Sequence, residues 1–483
     1  MPRKLASIFL RCTTSNNIIK IGRILMYQIN FNKPVKIHFM GIGGISMSGL
    51  AEILHAKGFT VVGSDAHESA ITDHLESLGI QIAYGQRAEN ITPDIDVVVY
   101  TAAIHPDNPE FAAAKAAGIP MMDRAELLGQ IMTNYANAIA VSGTHGKTTT
   151  TSMLSHILLA ADTDPTISVG GILKAIHGNI RVGHSDNFIT EACEYTNSFL
   201  KFNPSLEIIL NIEEDHLDFF KDINDIRHSF RKFAEKLNEK GILIINGEIS
   251  NVTEITESLP CHIITYGLKP ECDYTAENIT FDEFAKGSFD LIAYGEKIDH
   301  IQLNVAGIHN VSNALAAIAA ARELHIPMDI IKKGLMAFEG TDRRFEYKGQ
   351  FNGVTVIDDY AHHPTEIKAT LTAAQKYPHR QIWCVFQPHT YTRTKAFFHE
   401  FADALSLADK IVLADIYAAR ETDPGDIHSK DIQKLLLEKG KEAYYFPSFE
   451  EIEKFLREKC INGDLLITMG AGDVVLVGEA LIK

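Results

Sequence analysis

Val141-Ser142-Gly143-Thr144-His145-Gly146-Lys147-Thr148-Thr149-Thr150 follows the apolar run Ala138-Ile139-Ala140-Val141 and leads into Met153, Leu154 and Ile157, which recur at helical spacing. The pattern predicts a strand, a glycine turn and a helix. Small glycines let consecutive backbone N–H groups face one anion, and the helix N-terminus adds partial positive charge. Lys147 would then reach terminal phosphates, and Thr148 or Thr149 would hold Mg²⁺. The loop is a shortened variant, because a full phosphate loop carries its first glycine where Val141 stands. An ordinary glycine turn capping a helix would leave Lys147 and the threonines unexplained. Gly143, Thr144, His145, Gly146, Lys147, Thr148 and Thr149 are therefore read as binding a nucleoside triphosphate, and ATP and Mg²⁺ are the expected cofactors.

The rest of the 483-residue chain bounds this reading. At about 100 to 200 residues per domain, about three domains are expected. Hydrophobic content of 46% and charged content of 22% are ordinary for a soluble protein, and no apolar run approaches a membrane span. A formal charge of -17 argues against general nucleic-acid binding, which draws on an excess of Lys and Arg. The six cysteines lie far apart with no CxxC pair, which fits neither a disulfide framework nor a zinc knuckle, and a cytoplasmic location follows. Before Met26 the chain is basic, with Arg3, Lys4, Arg11, Lys20 and Arg23. This resembles a transit peptide, but an upstream start with Met26 as the working initiator is preferred, and residues 1–34 are expected to be a disordered extension.

Outward from the loop, strand and helix patterns alternate in three blocks. The first, 35–137, opens with Val35 to Met40, the turn Gly41-Ile42-Gly43-Gly44 and an apolar helix pattern through Leu50, Ile53 and Leu54. A second strand ends at Asp65, where a dinucleotide-type fold places its ribose-binding carboxylate. Gly41, Gly43 and Gly44 are candidates for a pyrophosphate, although Ser46 replaces a third glycine and a tight turn without ligand gives the same pattern. The second block, 138–341, has apolar runs ending in Glu191-Ala192-Cys193-Glu194 and Glu213-Glu214-Asp215-His216. In open α/β sheets ligands sit beyond the carboxyl ends of strands, so Glu194 and His216 can meet the phosphates and their metal beside Lys147. Gly307 to Asn313 leads into an Ala-rich helix and either reads an adenine edge or caps that helix. The third block, 342–483, follows Arg343-Arg344, and its strand Val354 to Ile357 runs into Asp358-Asp359-Tyr360-Ala361-His362-His363-Pro364-Thr365-Glu366.

Taken in this order, the loop at Lys147, the Glu194 strand, Asn211 to His216, the His309-Asn310-Asn313 cluster, Arg344 and Asp358 to Pro364 resemble the Mur ligase family over nearly all of 36–483. The resemblance implies an α/β protein of three domains: an N-terminal Rossmann-like domain, a central P-loop ATPase-type α/β domain and a C-terminal Rossmann-like domain. These would bind a UDP-sugar, ATP and an amino acid in turn. It implies UDP-N-acetylmuramate and L-alanine as substrates, joined through an acyl phosphate made by ATP, in a monomer or homodimer with no nucleic-acid or membrane partner. By the same resemblance Lys147 neutralises the migrating phosphoryl group, Thr148 and Glu194 hold Mg²⁺, and His216 joins a second metal site. Asn310 and Asn313 contact adenosine, Arg344 and Asp359 reach the nucleotide, and His362 and Arg393 meet substrate carboxylates. Gly41, Gly43, Gly44 and Asp65 would hold the UDP-sugar. Two positions depart from the family pattern: the substrate loop reads Gln387-Pro388-His389-Thr390, with Arg393 its remaining arginine, and Gln86 stands where histidine is frequent. A nicotinamide-dependent dehydrogenase would use Gly41, Gly43 and Asp65 but has no use for Lys147, Thr148 and Glu194. A ligase that attaches a recycled murein peptide would share nearly every motif.

Overall fold

A computed structural model describes residues 18–21, 24–101 and 103–483, with side chains from Tyr27 onward. The chain divides into two compact units, Met1–Ile131 and Met132–Lys483.

In the first unit five parallel strands form one sheet, with Lys36–Met40 at its centre. Thr60–Asp65 and then Gln81–Tyr84 lie on one side, and Val97–Tyr100 and then Met121–Asp123 on the other. The strand order reverses beside Lys36–Met40, so the glycine turn after Met40 stands at the switch point where such sheets bind ligands. Helix Ile45–Ala56 follows and buries Leu50, Ile53 and Leu54, the apolar positions read from the sequence. The extension expected to be disordered through residue 34 lies outside the described residues as far as residue 17. Its later part is built into the unit. Ile18–Ile21 and Ile24–Tyr27 pair antiparallel, Gln130 accepts the Ile29 N–H at 2.8 Å and donates to the Tyr27 carbonyl at 2.9 Å, and Phe31 meets Phe59 edge-on.

The second unit holds two sheets. Its ten-stranded sheet centres on parallel strands, with Asn137–Ser142 between Asn187–Ala192 and Leu206–Ile209, followed by Ile242–Asn246 and His262–Tyr266. The strands are near-continuous Val, Ile and Leu because helices cover them. Helices Lys147–Ala160, Ile308–Glu323 and Met328–Ala337 pack together, and Met153, Leu154 and Ile157 are fully buried among them. The six-stranded sheet runs Glu346–Phe351, Val354–Asp359, Leu465–Met469, Ile382–Phe386, Lys410–Leu413 and Glu442–Tyr445, all parallel except the first pair. No helix among the described residues is long and apolar enough to cross a membrane.

One strand carries an ionisable residue where the pattern calls for an apolar side chain. Glu207, in Leu206–Ile209, is fully buried and neither carboxyl oxygen has a hydrogen-bond partner. Burial pushes its pKa well above the usual carboxylate value, and the exposed Lys236 is too weak a counter-charge to reverse this. A folded-state pKa above the unfolded one means that the native state keeps a proton the unfolded chain has lost. Its contribution is fully present below the unfolded value and is lost as pH rises through the folded one. Glu207→Met is therefore expected to match the wild type near pH 4 and to exceed it by about 1–3 kcal/mol near pH 8. Denaturant midpoints across that range test this, and a difference that does not grow with pH would contradict a protonated Glu207.

Candidate functional site

The loop after Asn137–Ser142 is shaped by two left-handed glycines. Gly143 has φ 138, and a Cβ there would lie 2.9 Å from Leu210 Cβ, just beyond the neighbouring strand Leu206–Ile209. Gly146 has φ 84, caps helix Lys147–Ala160 without any side-chain hydrogen bond, and would press a Cβ to 2.7 Å from Asn313 Oδ1. The first-turn amides of Lys147, Thr148 and Thr149 are thus left without a capping side chain, as an anion site requires. Asn211 clamps the loop from the next strand end, accepting the His145 N–H at 2.8 Å and donating to the His145 carbonyl at 3.1 Å.

Lys147 Nζ lies 3.2 Å from Glu194 Oε2 and also donates to the carbonyls of Gly143 and Thr144. Burial alone would lower its pKa, but Glu194 more than reverses this and keeps the ammonium charged. Glu194 Oε1 is buried with no hydrogen-bond partner and sits 4.0 Å from His216 Nε2. Burial lowers the His216 pKa, which leaves a neutral ring with a lone pair to offer. Next to it, Asp215 accepts both Nε and Nη2 of Arg393 at 3.1 and 2.8 Å, and His389 Nδ1 accepts from Arg393 Nη1 at 3.0 Å. The Glu194–His216 pair and the Arg393 loop thus adjoin within the second unit.

On the other side of the loop a cavity of about 170 Å³ is lined by His145, Gly146, Thr149, Asn310, Asn313, Arg344 and Asp359 among others. Asn313 donates to Asn310 Oδ1 at 3.0 Å, and Asn310 donates to the Ala306 carbonyl at 2.7 Å. Both are buried, and Gly307, with φ 96, caps their helix without a side-chain bond. Of the double arginine, Arg343 is spent on structure, binding Asp358 and the carbonyls of Gly470 and Gly472. Arg344 lines the cavity. Asp359 accepts from the amides of Phe345 and Ala361 and from the Thr370 hydroxyl, while burial pushes its pKa up to about 6. His362 donates from Nδ1 to the Tyr360 carbonyl at 3.0 Å, and burial lowers its pKa to about 4. A neutral ring with Nε2 free to accept results.

His145, Glu213 and His363 bring three possible ligand atoms within 4.8 Å of one another. They do not fit a metal ion. His363 Nδ1 accepts the Thr365 N–H and its Nε2 donates to the Glu214 carbonyl, so both ring nitrogens are engaged. His145 stands between Glu213 at 3.5 Å and Glu366 at 3.2 Å; burial would lower its pKa, but the two carboxylates raise it to about 9. The imidazolium itself is the cation there.

In the first unit the turn Gly41 to Gly44 is not the open cradle expected from its sequence. Gly41 and Ile42 donate to the Ser64 carbonyl at 2.8 and 2.9 Å, and Gly44 donates to the Gly41 carbonyl at 3.1 Å. Gly43 donates to Asp65 Oδ2 at 2.8 Å. The carboxylate expected to hold a ribose is engaged with the turn, because an acceptor at a strand end saves an otherwise orphaned N–H. A Cβ on Gly43 would lie 2.9 Å from both Asp65 Oδ2 and Thr72 Cγ2, so a bulky residue there disturbs this packing before any ligand is met. Gln86 accepts from Asn108.

Three family models match in sequence: Mur ligase family, catalytic domain, over residues 36–136; Mur ligase middle domain over 141–321; and Mur ligase, glutamate ligase domain, over 343–472. The UDP-N-acetylmuramate--L-alanine ligase of Agathobacter rectalis is 66% identical over 95% of this chain and all of its own length. The chain belongs to the Mur ligase family. The enzyme of the same description from Acetivibrio thermocellus is 53% identical over 94% of this Mur ligase and 96% of its own length. Among solved structures, a UDP-N-acetylmuramate-alanine ligase from Thermotoga maritima matches with a TM-score of 0.76 and 31% identity over 92% of this chain and 98% of its own. A murein peptide ligase from Psychrobacter arcticus matches with a TM-score of 0.67 and 25% identity, over the same shares.

Around the glycine loop of this Mur ligase several residues escape sequence reasoning. Asn211 stands just beyond strand Leu206–Ile209 with no local sign that it holds the loop beyond the neighbouring strand. Glu366 stands three residues after His363 and reads as a capping-box partner, which it is, but it also reaches the His145 ring. Arg420 packs over Tyr195, whose ring lies tilted against that of His216 with centroids 4.5 Å apart. Nothing in its polar loop marks it.

Proposed function

We propose that this chain joins L-alanine to UDP-N-acetylmuramate with hydrolysis of ATP, in the making of peptidoglycan precursors in the cytoplasm. The observation that carries the reading is the Lys147–Glu194–His216 group at the uncapped end of Lys147–Ala160, in a chain 66% identical to a ligase of that description. The proposed domains are 35–137 for the UDP-sugar, 138–341 for ATP and 342–483 for the amino acid. A carboxylate is a poor electrophile, and transfer of the terminal phosphoryl group of ATP to the lactyl carboxylate gives it a good leaving group. The amine of L-alanine then displaces phosphate, and catalysis rests on positioning and charge neutralisation.

In this reading Lys147 faces the migrating phosphoryl group, and the amides of Gly146 to Thr149 bind the phosphates. Asn310, Asn313 and Arg344 hold adenosine in the cavity they line, with Asp359 behind them. Arg393, shared between Asp215 and His389, and the free Nε2 of His362 face the substrate carboxylates. The turn at Gly41, Gly43 and Gly44 takes the UDP-sugar, for which Asp65 must release the Gly43 amide.

Thr148, Glu194 and His216 suit Mg²⁺, since a buried carboxylate oxygen without a partner and a neutral imidazole are unsatisfied acceptors. When bound there, Mg²⁺ neutralises phosphate charge. Glu194→Gln keeps the shape and loses the charge, so the Mg²⁺ concentration for half-maximal rate is expected to rise at least roughly tenfold. Activity should return in part at high Mg²⁺, and an unchanged metal dependence would assign Glu194 another role.

Phosphate release from ATP with UDP-N-acetylmuramate, measured with L-alanine, glycine, L-serine or a murein tripeptide, tests the function. Release dependent on L-alanine is expected. Release that requires the tripeptide instead would move the chain to the murein peptide ligases.

A further inference from the structure

Glu366 lies in helix Pro364–Ala374, where one of its oxygens completes the capping box. Oε2 accepts the N–H groups of His362 and His363 at 3.0 and 3.3 Å. Capping leaves the other oxygen unexplained. Oε1 lies 3.2 Å from His145 Nδ1 in the phosphate loop and 3.7 Å from Arg344 Nη1, which lines the adjoining cavity. Burial would raise the Glu366 pKa, but the rings of His362 and His145 and the Arg344 guanidinium hold it well below the usual range. His145 is pinned as well, since Asn211 holds its N–H and its carbonyl, Glu213 flanks Nε2 at 3.5 Å, and the His363 ring lies 4.6 Å away. Glu213 in turn accepts the Thr365 hydroxyl at 2.6 Å, and His363 donates to the Glu214 carbonyl.

A carboxylate is rigid and planar, so its two oxygens cannot move independently. A shift of Oε1 forced by phosphates entering the loop, or by Arg344 turning to a nucleotide, turns the carboxylate and so strains the bonds that Oε2 accepts from the His362 and His363 amides. His145 as a cation lets this carboxylate stay close to the phosphates, where bare charge would be repelled.

We propose that His145 and Glu366 form a positioning pair that ties occupation of the nucleotide loop to the placement of His362, an inference that rests on the ligase reading. Neither residue is assigned a bond-making step. His145 acts through Glu366, and Glu366 acts through the amides it holds.

The test compares full-length wild type, His145→Asn, Glu366→Gln and the double variant in the L-alanine-dependent assay. Each single change is expected to lower kcat by about tenfold or more, within the range that coupled neighbours reach. The double variant should be no worse than the worse single one. Effects that multiply instead would mean two independent roles and overturn the pair. A second readout is the pH profile of kcat. The groups facing His145 are Glu213, Glu366 and His363, and its own pKa of about 9 predicts an alkaline limb there as the cation is lost. His145→Lys keeps a cation, so it should recover activity relative to His145→Asn and move that limb upward; a structural role alone would leave the limb in place. Thermal unfolding of each variant separates loss of fold from loss of coupling, and the His145 variants decide the matter if Glu366→Gln does not fold. Wild type inactive with all acceptors would defeat the ligase reading, whereas an active wild type matched by its variants would defeat this proposal alone.

Discussion

Lys147→Ala is expected to lower kcat for phosphate release by roughly 10²- to 10³-fold, the cost of removing one preorganised charge from a phosphoryl-transfer site. The neighbouring cations are engaged elsewhere, for Arg344 lines the cavity beyond Thr149, Arg393 is held by Asp215, and the His145 ring sits between Glu213 and Glu366. The change also leaves Glu194 buried without its cation, so part of the loss should appear as weaker folding near the loop. Rates measured beside thermal unfolding separate the two contributions. A folded variant that keeps more than about a tenth of wild-type kcat would remove Lys147 from the phosphoryl-transfer role.

Gly334→Leu should have the largest effect on stability. Gly334 is buried in helix Met328–Ala337, and a Cβ there would lie 2.5 Å from Ile157 Cα and 2.8 Å from Ile157 N in helix Lys147–Ala160. Backbone, unlike the end of a side chain, cannot step aside, so the helices must part. Overpacking of this kind costs about 1–3 kcal/mol where side chains give way, and the expected loss exceeds 3 kcal/mol here because none can. Since Lys147–Ala160 carries the loop proposed to bind ATP at its other end, ATP affinity should fall along with the denaturant midpoint. An unchanged midpoint would show that the two helices do not approach as described.

Much of this protein is legible in the order of its residues, and the reasons are local. Apolar runs of four to six residues ending in glycine, Asp or Glu mark parallel strands with polar ends, and the helices between them announce themselves by period. The glycine loop between strand and helix could be read because Gly143, Gly146 and Lys147 fall within five consecutive residues, and the family because its motifs fall in a fixed order. The turn at Gly41 to Gly44 shows the limit. Its glycines predict the bend correctly, but whether its amides are free depends on Ser64 and Asp65, which meet it only when the next strand pairs.

What the sequence determined by itself is the α/β class, the three successive blocks, the family and the place of the glycine loop before Lys147–Ala160, since each rests on neighbours in the chain or on their order. The tertiary structure alone decided that Asn211 clamps the loop, that Arg343 is held by Asp358 and the Gly470 and Gly472 carbonyls, and that Glu366 reaches His145. It also paired Asp215 with Arg393 across 178 residues. Two of these contacts, Glu366 with His145 and Asp215 with Arg393, join segments that belong to different sheets. Their partners are chosen by distance in space, where burial raises the strength of each charge and leaves no water to replace a missing partner.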